Sequence, residues 1–132
     1  MVSKDADKQR KRLYNLPKHR MQKNLVSRLS EELMVKYNYA IRRFPVRTGD
    51  SVKIVRGDFK GKSGKIREVN TKSRTAAVEN ITRSKVDGKQ ATAWVDTSNI
   101  IITKLDLTDN YRKNKIKAIF EEKGVDENLE EE

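Results

Sequence analysis

The sequence predicts a mainly β fold. A small barrel over residues 48–105 follows a basic arm with short helices over 1–47, and a C-terminal helix and acidic tail over 106–132 come last. Three observations lead there. Five short runs with strand character, SVKIV, GKIREV, TAAVENI, QATAWV and NIIIT, crowd into about 55 residues, and closing such strands into a barrel limits exposed edges. Turn signals separate them: Thr48-Gly49-Asp50, Asn70-Thr71-Lys72, Val86-Asp87-Gly88 and Thr97-Ser98-Asn99. Hydrophobic residues make up only 35% of the 132 positions, below the usual share of about 45–50%, so only part of the chain builds a core.

In chain order, residues 1–16 are so charged that an extended or disordered arm is expected, with Leu13, Tyr14 and Leu16 as its few apolar anchors. Residues 18–37 carry Met21, Leu25, Leu29, Leu33 and Tyr37 at intervals of four, which predicts a helical stripe. Ser30 ahead of Glu31 and Glu32 marks a helix start, so two short helices with a break over Ser27 to Ser30 are expected. Asn38 is suited to end the second in a left-handed conformation. Arg42, Arg43, Pro45 and Arg47 form a basic linker, in which Pro45 drives Phe44 to an extended backbone. In the barrel, Val52 and Ile54 share one strand face, and the alternation slips between Ile66 and Val69, as at a bulge. The last helix spans 108–123, capped by Thr108 or Asp109, with Ile116, Ile119 and Phe120 as its stripe and Gly124 as its stop. The tail VDENLEEE is acidic, and a mobile segment is expected there.

Charge narrows the function. The formal net charge is +11, carried as +9 on residues 1–47, +6 on 48–105 and −4 on 106–132. Such a balance calls for an anionic partner, nucleic acid first and an anionic membrane second. The helical stripes lack the Trp/Phe-rich face of an interfacial helix, no apolar run is long enough to span a bilayer, and the charged N-terminus is unlike a signal peptide. A soluble intracellular protein is therefore expected. With no cysteine and one histidine, His19, neither a thiolate nor an imidazole metal site can be built. Asp50 and Asp58 flank the most basic loop; capping turns or pairing with lysines accounts for them better than a metal. No catalytic constellation is present, and neither a cofactor nor a small-molecule substrate is expected.

The stretch RGDFKGKSGK, residues 56 to 65, combines Gly57, Gly61 and Gly64 with Arg56, Lys60, Lys62 and Lys65 around Phe59. Glycine serves either a turn at positive φ or a close backbone approach. Between two strands, three of them make a loop that bends twice and lets its cations project together, while its backbone N–H groups face a phosphate. Phe59 has two readings: stacking on an unpaired base, or packing on the barrel. The stretch matches neither the phosphate-binding G-x-x-x-x-G-K-[ST] pattern nor G-x-G-x-x-G. A plain hairpin with solvated lysines remains the alternative. In the arm, Arg10, Lys11, Arg12, Lys18, His19 and Arg20 surround a small apolar cluster; such a strand either folds onto a phosphate surface or is a solvated tail.

GDSVKIVRGDFKGKSGKIREV resembles a KOW motif, a strand–loop–strand unit of ribosomal proteins and transcription elongation factors. Together with LYNLPKHR, LSEELMVKYN and IITKLDL, it makes the chain similar, over about residues 10 to 117, to the KOW-bearing large-subunit ribosomal protein of archaea and eukaryotes. That family is the twenty-sixth large-subunit protein of the eukaryotic scheme and the counterpart of the bacterial twenty-fourth. The resemblance implies an SH3-like barrel and binding to large-subunit rRNA near its 5′ region, beside the exit of the nascent-chain tunnel. It also implies a part in subunit assembly, neighbouring ribosomal proteins as partners, and a place in the cytoplasmic ribosome. The chain lacks the extra residue that many eukaryotic members carry within KG-x-x-G, which leans toward an archaeal source. Where many members read P-x-H-P-S-N, it has Trp94-Val95-Asp96-Thr97-Ser98-Asn99, so no contact of that histidine or proline carries over. Arg28 also replaces the proline common before the L-S-x-E-L helix.

The expected function is a structural rRNA-binding protein without chemistry of its own. The barrel presents Arg56, Lys60, Lys62, Lys65, Lys72 and Arg74, the arm presents its own cations, and Arg42, Arg43 and Arg47 join the two surfaces. The competing reading is a KOW-type elongation factor, which would carry a folded domain ahead of the motif, where this chain has an arm.

Overall fold

The computed structural model describes residues 2–124; the acidic tail from 125 onward lies outside the described residues. Among the described residues, seven strands form one mixed sheet: β1 Val26–Leu29, β2 Arg43–Pro45, β3 Ser51–Ile54, β4 Ser63–Asn70, β5 Thr75–Ser84, β6 Gln90–Asp96 and β7 Ile100–Lys104. Their order is β2-β1-β7-β3-β4-β5-β6. The α-helices that accompany them are α1 Ala6–Tyr14, α2 Lys18–Met21, α3 Glu31–Lys36 and α4 Asn110–Lys123. The five barrel strands expected between 48 and 105 are β3 to β7.

The alternation of β3 buries Val52 and Ile54 completely. The slip in β4 is real: its register with β5 shifts between Ile66 and Glu68. A second shift, between Ala77 and Thr82 in β5, contains Asn80 at φ 64. Such bulges add local twist and let a narrow sheet curl. The curl brings the turn after β6, Thr97–Asn99, onto β1, where the buried Ser27 hydroxyl donates to the Thr97 carbonyl at 2.6 Å. The core runs through Leu29, Phe44, Ile81, Ile100 and Ile102, and α4 closes it with Ile116 and Phe120. Phe120 meets the Tyr37 ring at 5.8 Å between centroids. Burial raises the Tyr37 hydroxyl pKa, opposed by the nearby Arg112 charge.

Two expectations about the arm need correction. Residues 6–14 are helical, not extended: Asp5 caps Asp7 N–H, Asp7 pairs with Arg10 one turn on, and the intervening residues are good helix formers. Low hydrophobicity leaves α1 without a buried residue, but it does not forbid the helix. The stripe from Met21 to Tyr37 is not one of helices alone, because a 3-10 turn, Gln22–Asn24, and then β1 follow α2. A spacing of four satisfies a period of two as well as one near 3.6. Leu25 and Leu29 are both buried, and the ladders decide for the strand: β1 runs antiparallel to β2 and parallel to β7. The basic linker likewise contains β2, an edge strand where Pro45 is tolerated.

The remaining helix signals hold. Ser30 caps α3 through Leu33 N–H, Asn38 follows it at φ 48, Asp109 caps α4 through Tyr111 N–H, and Gly124 ends it at φ 63.

One ion pair ties these parts together. Asp50, at the entry to β3, is fully buried and takes Arg112 of α4 in a bidentate grip, Nη1 to Oδ1 at 2.5 Å and Nη2 to Oδ2 at 2.7 Å. The same carboxylate accepts from the main-chain N–H of Arg47 at 3.0 Å and of Asp106 at 2.9 Å. Arg112 also donates to the carbonyls of Asp106 at 2.9 Å and Pro45 at 2.8 Å. Asp50 thus neither caps a turn alone nor serves a metal. Removing one partner strands a buried charge, so Asp50→Ala is expected to cost about 3–5 kcal/mol in urea unfolding. The double change Asp50→Leu with Arg112→Met should cost clearly less than the two single changes added. Simple additivity would show that the two side chains are not coupled.

Candidate nucleic-acid interface

The loop after β3 is closed at its base by two main-chain bonds, Ile54 N–H to Lys62 O and Gly61 N–H to Ile54 O, both 2.8 Å. Inside it the chain turns at Gly57, φ +95, and at Gly61, φ +89, a region that strains any L side chain. Gly64 does the other job. A Cβ there would lie 3.0 Å from the Glu79 carbonyl oxygen and 3.0 Å from Val78, so its absence lets β4 and β5 close together.

Arg56, Lys60 and Lys62 are exposed on this loop. Phe59 takes the packing role: it is half-buried against the core, with Lys62 Nζ 5.2 Å and the Arg83 guanidinium 5.9 Å from its ring centroid. Arg83, on β5, also reaches Asp58 at 3.4 Å. Sequence reasoning missed Arg83, because only the β4–β5 pairing brings residue 83 to this loop.

The other predicted cations lie elsewhere. At the opposite end of β4, about 23 Å away at 3.3 Å per residue, Lys72 and Arg74 sit exposed in the turn to β5. Asn70 Oδ1 shapes that turn by accepting from Lys72 and Ser73 N–H. Lys65 is exposed on β4, opposite Ser51. Beside the Asn70 end of β4 opens a cleft of about 450 Å³ with His19 and Arg47 on its walls, together with Lys23 and Lys115, which sequence reasoning did not assign. Arg47 pairs with Asp109 across the cleft. Arg10, Lys11 and Arg12 stand exposed on α1, and Lys18 and Arg20 on α2. Arg42 precedes β2, and Arg43 lies within it, directly opposite Arg28 of β1. Two exposed guanidinium groups facing each other on one sheet face repel unless an anion sits between them. Arg28 was hidden from sequence reasoning by the helical reading of its segment.

The carboxyl of Asp106 is held below the usual range, first by the hydrogen bonds of Thr108. That of Asp109 is lowered too, first by Arg47 and then by Tyr111 N–H. Lys115 titrates below an ordinary lysine, because burial and then the charges of Lys23, Arg47 and Arg112 disfavour its proton. Among the described residues no His, Cys, Asp and Glu cluster is placed to hold a metal, and no helix is long and apolar enough to cross a membrane.

Residues 3–118 match the family model of the eukaryotic L26 and archaeal L24 ribosomal proteins. The chain belongs to this ribosomal protein family. Members of the family are structural proteins, not enzymes. The chain is similar to proteins named "Large ribosomal subunit protein uL24". That of Saccharolobus solfataricus is 47% identical over 116 residues, 88% of this chain and 96% of the relative. That of Sulfurisphaera tokodaii is 48% identical over 118 residues, 88% and 85%. The Methanosarcina barkeri protein is 44% identical over 117 residues, 89% and 99%. Family membership confirms the resemblance drawn from the KOW stretch and its flanking blocks.

Carboxyls with a lowered folded pKa stabilise the protein above their unfolded value, near about 3.9, and lose that contribution as pH falls through the folded one. Stability should therefore drop in acid, below about pH 4, and Asp109→Asn with Asp106→Asn should make that acid limb shallower. Thermal unfolding across pH checks this; an unchanged limb refutes it.

Proposed function

We propose that the chain is a structural constituent of the large ribosomal subunit that binds large-subunit rRNA through two separate basic surfaces. One is the loop of Arg56, Lys60 and Lys62 with Arg83. The other comprises the arm, Arg42, Arg43, Arg47, Lys72 and Arg74, with Lys65 on β4 between the two. The observation that carries the reading is the spacing between the loop cations and Lys72 with Arg74 at the two ends of β4, in a chain of this family. Cations fixed that far apart hold two RNA segments at a set separation. The first contact also raises the effective concentration for the second. The chain works in the cytoplasmic ribosome, beside rRNA and neighbouring large-subunit proteins. Its site is near the 5′ region of the rRNA and the tunnel exit, and holding two segments together supports subunit assembly. The elongation-factor reading loses ground because the family match takes in the arm and α4 as well as the KOW stretch.

Filter binding to an rRNA fragment tests this. The affinity should fall steeply with salt, and Lys60→Gln with Lys62→Gln should flatten the salt slope by about 0.7–0.9 for each phosphate no longer neutralised. Removing residues 1–20, where no described residue is buried, should weaken binding without unfolding the sheet. A salt-independent affinity, or equal binding without the arm, overturns the two-surface reading.

A further inference from the structure

We propose that the cleft between α2, β2 and α4 is a pocket for one unpaired RNA nucleotide, its phosphate held by Lys23 and Lys115 and its base set against Tyr111. The proposal rests on the rRNA-binding reading above and adds to it a class of ligand and a place.

Shape is the first argument. The cleft holds about 450 Å³, within the range of about 300–1,000 Å³ typical of sites for small ligands. Its walls come from four separate segments: the arm, the end of β2, the turn after β4, and α4. A paired strand keeps its bases locked in the stack, so a duplex cannot enter such a recess, whereas a nucleotide swung out of a loop can.

Charge is the second. Lys23, Arg47, Arg112 and Lys115 face the cleft, with His19 beside them and Asp106 and Asp109 among them. Arg112 is occupied by Asp50, and Arg47 by Asp109. Lys23 and Lys115 form no ion pair among the described residues. The ammonium of Lys115 is held 5.7 Å from the centroid of the buried Phe44 ring, and burial first, then repulsion from Lys23, Arg47 and Arg112, lowers its pKa. A phosphate oxygen between Lys23 and Lys115 relieves that repulsion.

The third is the aromatic rim. Tyr111, in the first turn of α4, lines the cleft yet remains 70% exposed, so its ring face is open to a base. Stacking of this kind accepts any base and suits recognition of a loop by its conformation.

The test uses the full chain and three probes: a short single-stranded RNA, an RNA duplex, and inorganic phosphate. Anisotropy titrations compare the wild type with Lys115→Met, which keeps the apolar stem on Phe44, and with Lys23→Gln and Tyr111→Ala at exposed positions. The expected result is a loss of about fivefold or more for the single strand with Tyr111→Ala, and a salt slope lower by about 0.7 for each lysine variant. Duplex affinity should stay within error in all three. Lys60→Gln with Lys62→Gln should weaken both RNAs. Unchanged single-strand binding in the cleft variants, or an equal loss for the duplex, overturns the pocket and leaves the rRNA-binding reading standing. Wild type that binds neither RNA overturns both. Inorganic phosphate that displaces the single strand at equal phosphate concentration overturns the nucleotide and leaves an anion site only.

Discussion

The grip of Arg112 on Asp50 is the constraint on which the arrangement of the whole molecule depends. A carboxylate taken fully out of water is costly unless its lone pairs are met. Here two guanidinium and two main-chain N–H groups meet them. The donors come from three stretches of chain, and Arg112 also reaches the carbonyl that ends β2. Only one placement of β2, the entry to β3, the exit of β7 and the start of α4 satisfies all of them. The pair therefore contributes definition more than net stability, since an apolar replacement of equal volume removes the desolvation cost. Arg112 Nε stays buried without a partner, which marks the limit of the fit.

From that joint the placement of the basic surfaces follows. Gly49 turns at φ +91, a conformation that strains any L side chain, with the Asp106 carboxylate packed against it. The chain thus enters β3 at a fixed angle, and β3 and β4 carry the loop of Arg56 to Lys62 away from the cleft. The cleft itself exists because α4 is held against β2. Phe44, buried between them, has Arg112 at 5.1 Å and Lys115 at 5.7 Å from its ring centroid. A protein with so small a hydrophobic share holds its cations in place by anchoring a few of them on such rings and leaving the rest to solvent.

Local patterns were legible in the sequence, and long-range ones were not. The bulge after Ile66, the burial of Val52 and Ile54, the caps of α3 and α4, and the turns at Gly57 and Gly61 follow from neighbours in the chain, whereas Gly64, expected in the same loop, lies in β4 and makes room for β5. The strand Val26–Leu29 does not follow from its neighbours: its apolar spacing fits helix and strand alike, and the ladder to β7 that decides between them comes from residues 101 and 102. Asp50 reads as a turn residue because its partner stands 62 positions later. Arg83, Lys23 and Lys115 carry no signal of their own beyond positive charge. Arg28 opposite Arg43 needs the register of β1 on β2 before it means anything. Distribution of charge along the chain showed which segments are basic, and pairing of strands showed which cations meet.

The parallel contact between β1 and β7 carries a consequence for how the protein is made. Arg28 sits beside Ile101, and Ser27 bonds to Thr97, so the first strand obtains its inner neighbour only after most of the polypeptide has left the ribosome that synthesises it. Until then β1 can pair with β2, and β3 to β6 can pair as successive hairpins. The β1–β7 ladder is thus among the later contacts that synthesis makes available, after those of the hairpins from β3 to β6.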